Sequence, residues 1–452
     1  MGILFSRGGH HLEGHKDLTH GKPIATLTDP QAIGNIYIPI VSANGKDLLL
    51  DVKEGDYVKK GTRIGVSQGF YVPVFSPVSG TITKTEKRFN ALVGRPINHF
   101  VIENDFKYEV EESLPKYDYE TVTPEEIVNA IKEAGIVGLG GAGFPTYIKY
   151  GAQGIETILI NACECEPYLT TDNVMIVKDT DMFLKGVSLM VRAAHAKKAI
   201  IAFKQGHPDM KEAINALIGN YEGLEIREVK DMYPAGWERT LIWNVFKKEY
   251  NALPSEIGVI VNNAQTAMAI AHAVLEGKPI TERLVTVSGA GVKEPQNILV
   301  PVGTVVANII NACGGYTCEE VFLLAGGPMC SKAQMNDQFV VEKQSGGYTV
   351  LPFEDPTPEA CLRCGMCTLH CPASLQPVEI KNAVEKKDEK RLIELKANSC
   401  IECGMCTFIC PSHIAVTENI RKAKLMLKIA AAKAAAAKFW ALYRPVTKFL
   451  NV

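Results

Sequence analysis

The feature that most constrains this chain is a cysteine run written twice. CLRCGMCTLHCP sets Cys361, Cys364, Cys367 and Cys371 at spacings of two, two and three intervening residues before Pro372. CIECGMCTFICP repeats the pattern with Cys400, Cys403, Cys406, Cys410 and Pro411. Three thiolates two residues apart can wrap one face of a 4Fe-4S cubane on a tight loop, while the fourth, at the start of a helix, points away toward a second cluster. The expected ligand sets therefore cross. Cluster 1 takes Cys361, Cys364, Cys367 and Cys410, and cluster 2 takes Cys400, Cys403, Cys406 and Cys371. Zinc is the weaker reading, because tetrahedral zinc sites take ligands in pairs rather than as two triplets with distant fourths. Eight of the 13 cysteines lie in these runs, which speaks for metal in a reducing compartment rather than for disulfides.

A chain of 452 residues has room for about three or more structural units, and its composition is that of an ordinary globular protein. Its formal charge of -2 removes any global case for nucleic-acid binding. The charge is unevenly spread: from residue 421 onward there are eight basic residues and no acid, so the tail sums to +8 and residues 1–420 to -10. That asymmetry predicts a tail that meets an acidic partner or an anionic surface. No apolar window of about 18 residues occurs, and the first residues lack a signal-peptide pattern, so the expectation is a cytoplasmic chain with no transmembrane helix of its own.

Residues 1–115 read as strands and turns, with VKEGDYVKKGTRIGV and VFSPVSGTIT alternating around Gly-Asp and Ser-Gly turn signals. They resemble the barrel-sandwich of lipoyl and biotinyl carriers. The tip of the intervening hairpin, Gln68-Gly69-Phe70-Tyr71, lacks the lysine a carrier needs, so a docking or scaffolding role is expected. Thr123-Pro124-Glu125-Glu126 carries a helix-start signature with a capping box. Strand-like ETILINA, KAIIAF and LEIREV then alternate with helical stretches, the pattern of an α/β layer with a parallel sheet over 120–280. Residues 281–350 read as a small mixed module and 351–415 as a helical domain around the cysteines. Residues 416–452 read as a basic helical tail without a clean amphipathic stripe.

GIVGLGGAGFPTYIKYG packs five glycines between Gly135 and Gly143, a backbone that can approach a phosphate or a flat ring closely. It matches neither the usual dinucleotide fingerprint nor the P-loop. Cys163 and Cys165 read as packed thiols, since no histidine base lies nearby. Cys313, Cys318 and Cys330 show no ligand-like pairing and read as small buried hydrophobes. His10, His11 and His15 could bind a metal, but a loop or interface role is the stronger reading.

GLGGAGFPT with Lys149, NACECEP, YPAGWERTL and VNNAQT occur in the same order as in the flavin-bearing NADH-oxidising subunit of respiratory complex I. With the barrel-like start and the two-cluster ferredoxin motifs, the chain from residue 1 to about 415 resembles the RnfC family of Rnf electron-transport complexes. The resemblance implies an α/β multidomain fold: a lipoyl-like barrel-sandwich, a complex I flavoprotein-like α/β domain, a β-grasp-like module and a helical two-cluster ferredoxin domain. It also implies non-covalent FMN and NAD(H) beside the two clusters, with Gly138, Gly140, Gly141, Gly143 and Lys149 cradling FMN. Asn161, Glu164 and Glu166 would bond its ribityl chain and ring edges, and Asn262, Asn263 and Thr266 would lie near its phosphate. Phe144 would stack on the dinucleotide, and Glu238, the one residue assigned to catalysis, would sit near the nicotinamide. Leu139, Cys163 and Trp237 stand where complex I carries an arginine and two acids, which leaves the choice between NADH and NADPH open.

The implied function is that of an NADH dehydrogenase-type subunit of a ferredoxin:NAD oxidoreductase. It would exchange electrons between NAD(H) and the other Rnf subunits, peripheral on the cytoplasmic face of the bacterial membrane, coupled to ferredoxin oxidation and ion translocation. Two other readings share the layout: a soluble cobalamin reductase of bacterial microcompartments, and a flavin-less electron-transfer scaffold.

Overall fold

The computed structural model describes residues 8–42, 45–141 and 143–442, so residues 443–452 of the predicted tail lie outside the described residues. Residues 11–354 form one compact unit, and 8–10 with 355–442 belong to another.

In the larger unit the alternating segments fold into two small antiparallel sheets. One runs Asn35–Pro39, Arg95–Asn104, Gly80–Asn90, Tyr57–Val58 in spatial order, the other Leu48–Leu50, Arg63–Ser67, Pro73–Phe75. Ile36, Ile38, Ile64, Ile82 and Ile102 are fully buried, in a core that the barrel shares with the mixed-sheet module described below. The predicted hairpin tip at residues 68–71 joins two strands of the smaller sheet.

Helix α1 (Pro124–Glu133) starts as its sequence predicts. Thr123 Oγ1 accepts the Glu126 N–H at 3.3 Å, and the Glu126 carboxylate accepts the Thr123 N–H at 2.8 Å, so two orphan donors of the first turn are satisfied reciprocally. There follow β1 (Thr157–Asn161), α2 (Thr180–Ala193), β2 (Lys198–Lys204), β3 (Leu224–Val229), α3 (Glu238–Phe246), β4 (Val259–Asn263) and α4 (Ala264–Glu276). The strands are all parallel in the order β3-β2-β1-β4. β1, β2 and β4 are buried on both faces and read as apolar runs such as Ile158-Leu159-Ile160 and Ile200-Ile201, while the edge strand β3 keeps Glu225, Arg227 and Glu228 exposed. The chain steps from β1 outward to β3 and then returns to the other side of β1. That reversal opens a crevice at the carboxyl ends of β1 and β4, where Asn161 and Asn263 stand in register.

The remaining module is a six-stranded mixed sheet built mainly from Glu282–Ser288, Gln296–Pro301, Val321–Leu324 and Gly347–Pro352. Residues Ala25–Thr26 add a parallel edge strand to it, so the N-terminal segment serves this sheet and not only the barrel.

In the smaller unit, α5 (Pro377–Glu385) and α6 (Glu389–Glu394) fill the insert between the cysteine runs, and α7 spans Val416–Leu442. Val416, Ile420, Ala423 and Leu427 are buried at spacings of four, three and four, one stripe of a helix. The root of the basic tail is thus part of the cysteine domain, whereas residues 431–438 are all exposed.

Helices α2 and α4 pack with their backbones close together. A Cβ at Gly186 would lie 2.0 Å from the carbonyl oxygen of Ala267, so only glycine lets the two helices approach this closely. Gly186→Val should force them apart and cost about 3 kcal/mol or more, the upper range for overpacking. The urea midpoint of the far-UV circular dichroism transition should fall accordingly.

Candidate functional site

The crevice at the ends of β1 and β4 widens into a cavity of about 520 Å³, within the 300–1,000 Å³ range of cofactor pockets. Its walls include Gly138, Gly140, Gly141, Gly143 and Phe144 from the glycine loop, Lys149, Asn161 and Glu238, with Asn262 and Asn263 at the end of β4. Ten of the predicted flavin and nicotinamide residues therefore share one cavity.

Each is held by its own partners. The Lys149 ammonium donates to the Val261 carbonyl at 2.8 Å and lies 3.4 Å from Asn262 Oδ1. Burial lowers its pKa, while the nearby Glu238 carboxylate favours the charged form. Asn161 Nδ2 donates to the Gly236 carbonyl at 2.6 Å, fixing the segment that carries Trp237 and Glu238 to the end of β1. Glu238 opens α3, where a carboxylate suits the helix dipole, and accepts the Tyr250 hydroxyl at 2.6 Å. Asn263 caps α4 through its Oδ1, and its Nδ2 donates to Asp172.

The glycine loop fits a flat, phosphate-bearing group. A Cβ built at Gly141 meets nothing within 4 Å, so this wall of the cavity is bare backbone with open space before it.

Three predicted residues are elsewhere. Thr266 is buried behind the loop, where its Oγ1 accepts the Leu139 N–H at 3.1 Å and so holds the loop in place. Leu139, in the position of the family's arginine, is a core residue. Glu166 accepts the Tyr233 hydroxyl and the N–H groups of Met329 and Cys330, all within 3.1 Å, and is a strut to the mixed-sheet module. Glu164 accepts the Asp172 N–H at 2.7 Å and faces Lys16. The Lys16 ammonium donates to the carbonyls of Glu164 and Glu166, each at 2.9 Å, and to that of Leu169. Lys16 is a residue that sequence reasoning misses, because it carries no motif. Its one local signal is its place beside the histidine cluster.

Those histidines separate. His11 meets Asp231 at 3.4 Å, His15 stacks on Tyr168, and His10 packs edge-on against His370 within the smaller unit. Cys163 is buried and donates weakly to the Ala202 carbonyl, and burial raises the pKa of its thiol and of Cys165. Cys313 is buried as expected. Cys318 and Cys330 are exposed, a correction: Cys330 lies on the loop whose N–H groups grip Glu166, and Cys318 on the turn before strand Val321–Leu324.

In the smaller unit Cys371, Cys400, Cys403 and Cys406 line one cavity together with Thr417 and Ile420 of α7. This is the crossed set expected for cluster 2. Glu402 and Leu375 donate N–H groups to the sulfurs of Cys400 and Cys371 at 3.3 and 3.4 Å. Burial raises the pKa of all four thiols, and each thiolate would repel the next. Such a donor set suits a cationic iron-sulfur core, whose charge offsets that of buried thiolates. Lys424 and Arg421 pair with Glu402 on the Cys400 loop. For cluster 1, the Glu359 N–H reaches the Ser412 carbonyl at 2.9 Å and Ser412 Oγ the Ala360 carbonyl at 3.1 Å. The chain before Cys361 is thereby tied to the chain after Cys410. Cys361 and Cys364 are exposed.

Comparison with known proteins follows the same partition. Residues 4–107 match the RnfC barrel sandwich hybrid domain, 131–272 the Nuo51 FMN-binding domain, 284–333 the SLBB domain and 356–424 the 4Fe-4S dicluster domain. The chain is 33% identical over 383 residues to the C subunit of the proton-translocating ferredoxin:NAD(+) oxidoreductase complex of Clostridium ljungdahlii, covering 82% of each chain. It is 33% identical over 384 residues to the Na(+)-translocating counterpart of Acetobacterium woodii, covering 83% of this chain and 86% of that one. The C subunit of the ion-translocating oxidoreductase complex of Rhodobacter capsulatus is 35% identical over 397 residues, covering 84% and 75%.

Two outcomes follow from this geometry. Gly141→Val should leave the fold intact, since no protein atom opposes the new side chain, yet abolish FMN retention, read from flavin absorbance after gel filtration. Cys371→Ala, purified without oxygen, should lose the cluster held by Cys400, Cys403 and Cys406, with about four of eight irons remaining. Loss confined to the cluster of Cys361, Cys364 and Cys367 would refute the crossed pairing.

Proposed function

The chain belongs to the RnfC family, the C subunits of Rnf ion-translocating ferredoxin:NAD oxidoreductases, and from that premise we propose that it exchanges electrons between NAD(H) and the membrane-bound subunits of such a complex, coupled to ferredoxin oxidation and ion translocation. The observation that carries the reading is the cavity at the strand reversal, walled by bare glycine backbone, Lys149 and Glu238, on the same chain as a four-cysteine cage. FMN bound there would supply two-electron exchange with NAD(H) and one-electron exchange with 4Fe-4S clusters, chemistry that belongs to the cofactors.

The residues supply binding, orientation and exclusion of water. Gly138, Gly140, Gly141 and Gly143 admit the flavin to the backbone, and Lys149 offers a cation to its phosphate or ring. Asn161, Asn262 and Asn263 present amides at the strand ends, while Thr266 positions the loop from behind. Glu238, oriented by Tyr250, faces the nicotinamide. Glu164 and Glu166 act through the loop they anchor. The crossed cysteine sets hold the two clusters.

No helix among the described residues is long and apolar enough to cross a membrane. A peripheral place on the cytoplasmic face of the membrane is part of the same proposal. The exposed stretch 431–438 of α7, with Lys433 and Lys438, is the part of the chain suited to meet an acidic partner or surface there.

The test is turnover. Anaerobically purified protein loaded with clusters and FMN should pass electrons from NADH to an artificial one-electron acceptor. Glu238→Gln should weaken nicotinamide use by about ten-fold or more in kcat/KM, the worth of one charge-assisted hydrogen bond, while flavin content stays unchanged. If the cluster-loaded wild-type chain neither retains FMN on reconstitution nor oxidises NADH, it is a flavin-less electron carrier instead.

A further inference from the structure

The barrel hairpin has no role in the chemistry described so far, and its tip lacks the lysine of a carrier. Its residues are nonetheless held with care. Gly69 adopts φ +102°, Ser67 Oγ donates to the Phe70 carbonyl at 2.6 Å, and the Ser67 N–H donates to the Val72 carbonyl at 3.1 Å. Tyr71 donates its hydroxyl to Glu133 of α1 at 2.8 Å, and Lys132 lies over its ring at 4.9 Å from the centroid. The tip is therefore fixed against the α/β domain rather than free to swing.

What it presents there is Phe70. Its ring lies 5.6 Å from that of Phe144, at an interplanar angle of 70°. Phe144 belongs to the glycine loop and lines the flavin cavity, whereas Phe70 borders a neighbouring cavity that shares Gly143 with it. Both rings stay open to solvent, 55% exposed for Phe70 and 41% for Phe144. Two large aromatics held in place at a cavity mouth, and left half bare, are what a planar heteroaromatic ligand can cover.

We infer that Phe70, contributed by the barrel, joins Phe144 as an aromatic grip on the adenine ring of the dinucleotide. The inference rests on the NADH reading above and extends it. The nicotinamide end must enter the cavity to reach the flavin beside Glu238. A residue just outside that cavity meets the other end of the molecule, and in NADH the other end is adenosine. The barrel then completes the substrate site, and Phe70 selects for a dinucleotide over a mononucleotide.

Steady-state oxidation of NADH and of reduced nicotinamide mononucleotide, which lacks the adenosine half, tests this with the full chain loaded with FMN and clusters. Phe70→Ala should raise KM for NADH about ten-fold, the loss of one stacking partner of a base, with kcat, FMN content and the mononucleotide KM unchanged. Phe70→Trp should restore the NADH value. An unchanged KM for NADH in Phe70→Ala would overturn the inference, and so would an equal rise for both substrates, which would mean general damage to the cavity mouth. Wild-type protein that oxidises neither substrate would instead remove the NADH reading, and this inference with it.

Discussion

Four buried charges behind the cavity at the strand reversal hold its walls in register. Asp172 accepts Asn263 Nδ2 at 3.0 Å and Gln265 Nε2 at 2.7 Å, its own N–H goes to Glu164, and Arg283 reaches the same Gln265 from the mixed-sheet module. Lys16 closes the group from the N-terminal segment. Two carboxylates and two cations thus balance where water is excluded. Burial still drives each toward its neutral form: Glu164 is pushed up to about 7, Asp172 is raised, Arg283 falls to about 10 and Lys16 is lowered. A buried ion network adds little net stability over apolar packing, but breaking it strands a charge at about 3–5 kcal/mol. Its value here is placement, since it joins the start of α4, the loop after β1, the module and the N-terminal segment at one point.

Much of this arrangement was legible in the residues. The cysteine spacing led to a cage that joins Cys371 to the second triplet, the Thr123–Glu126 signature to an observed capping box, and the glycine loop to a cavity wall. These signals are local, because a cap or a ligand triplet is settled within one or two turns of chain. Glu164 and Glu166 were not legible in the same way. Glu164 at φ +38° and Tyr168 at φ +69° turn the loop through left-handed conformations that no glycine announces. Which side its acids face is decided by Lys16 and by the N–H groups of residues 329–330, far away in sequence. A long-range partner leaves no mark on the spacing of the residues it captures.

The tail shows the converse, a sequence signal that structure divides. Its charge of +8 reads as one block, yet Arg421 and Lys424 are paired with Glu402 on the cysteine loop while Lys428, Lys433 and Lys438 are exposed. The helix therefore has a root that serves the cluster cage and an outer part that is helical on alanine-rich propensity alone. Such a segment is marginal in water without a partner.

The barrel makes the same point about folds and functions. Carrier barrels of this shape need a lysine at the hairpin tip, which residues 68–71 lack. Here the tip is immobilised from three sides: Tyr71 bonds Glu133, Phe70 abuts Phe144, and the buried Lys343 ammonium of the module donates to the Pro73 carbonyl at 2.7 Å and lies 3.5 Å from that of Gly135. Lys343, its pKa lowered to about 8 by burial, has Glu342 beside it as the nearest countercharge. An ammonium shared between the base of the hairpin and the end of α1 ties the two together. The same architecture here packs its hairpin tip as a wall against the α/β domain, and what sets it apart from a carrier is a handful of side chains at the tip and its base rather than the strands that support it.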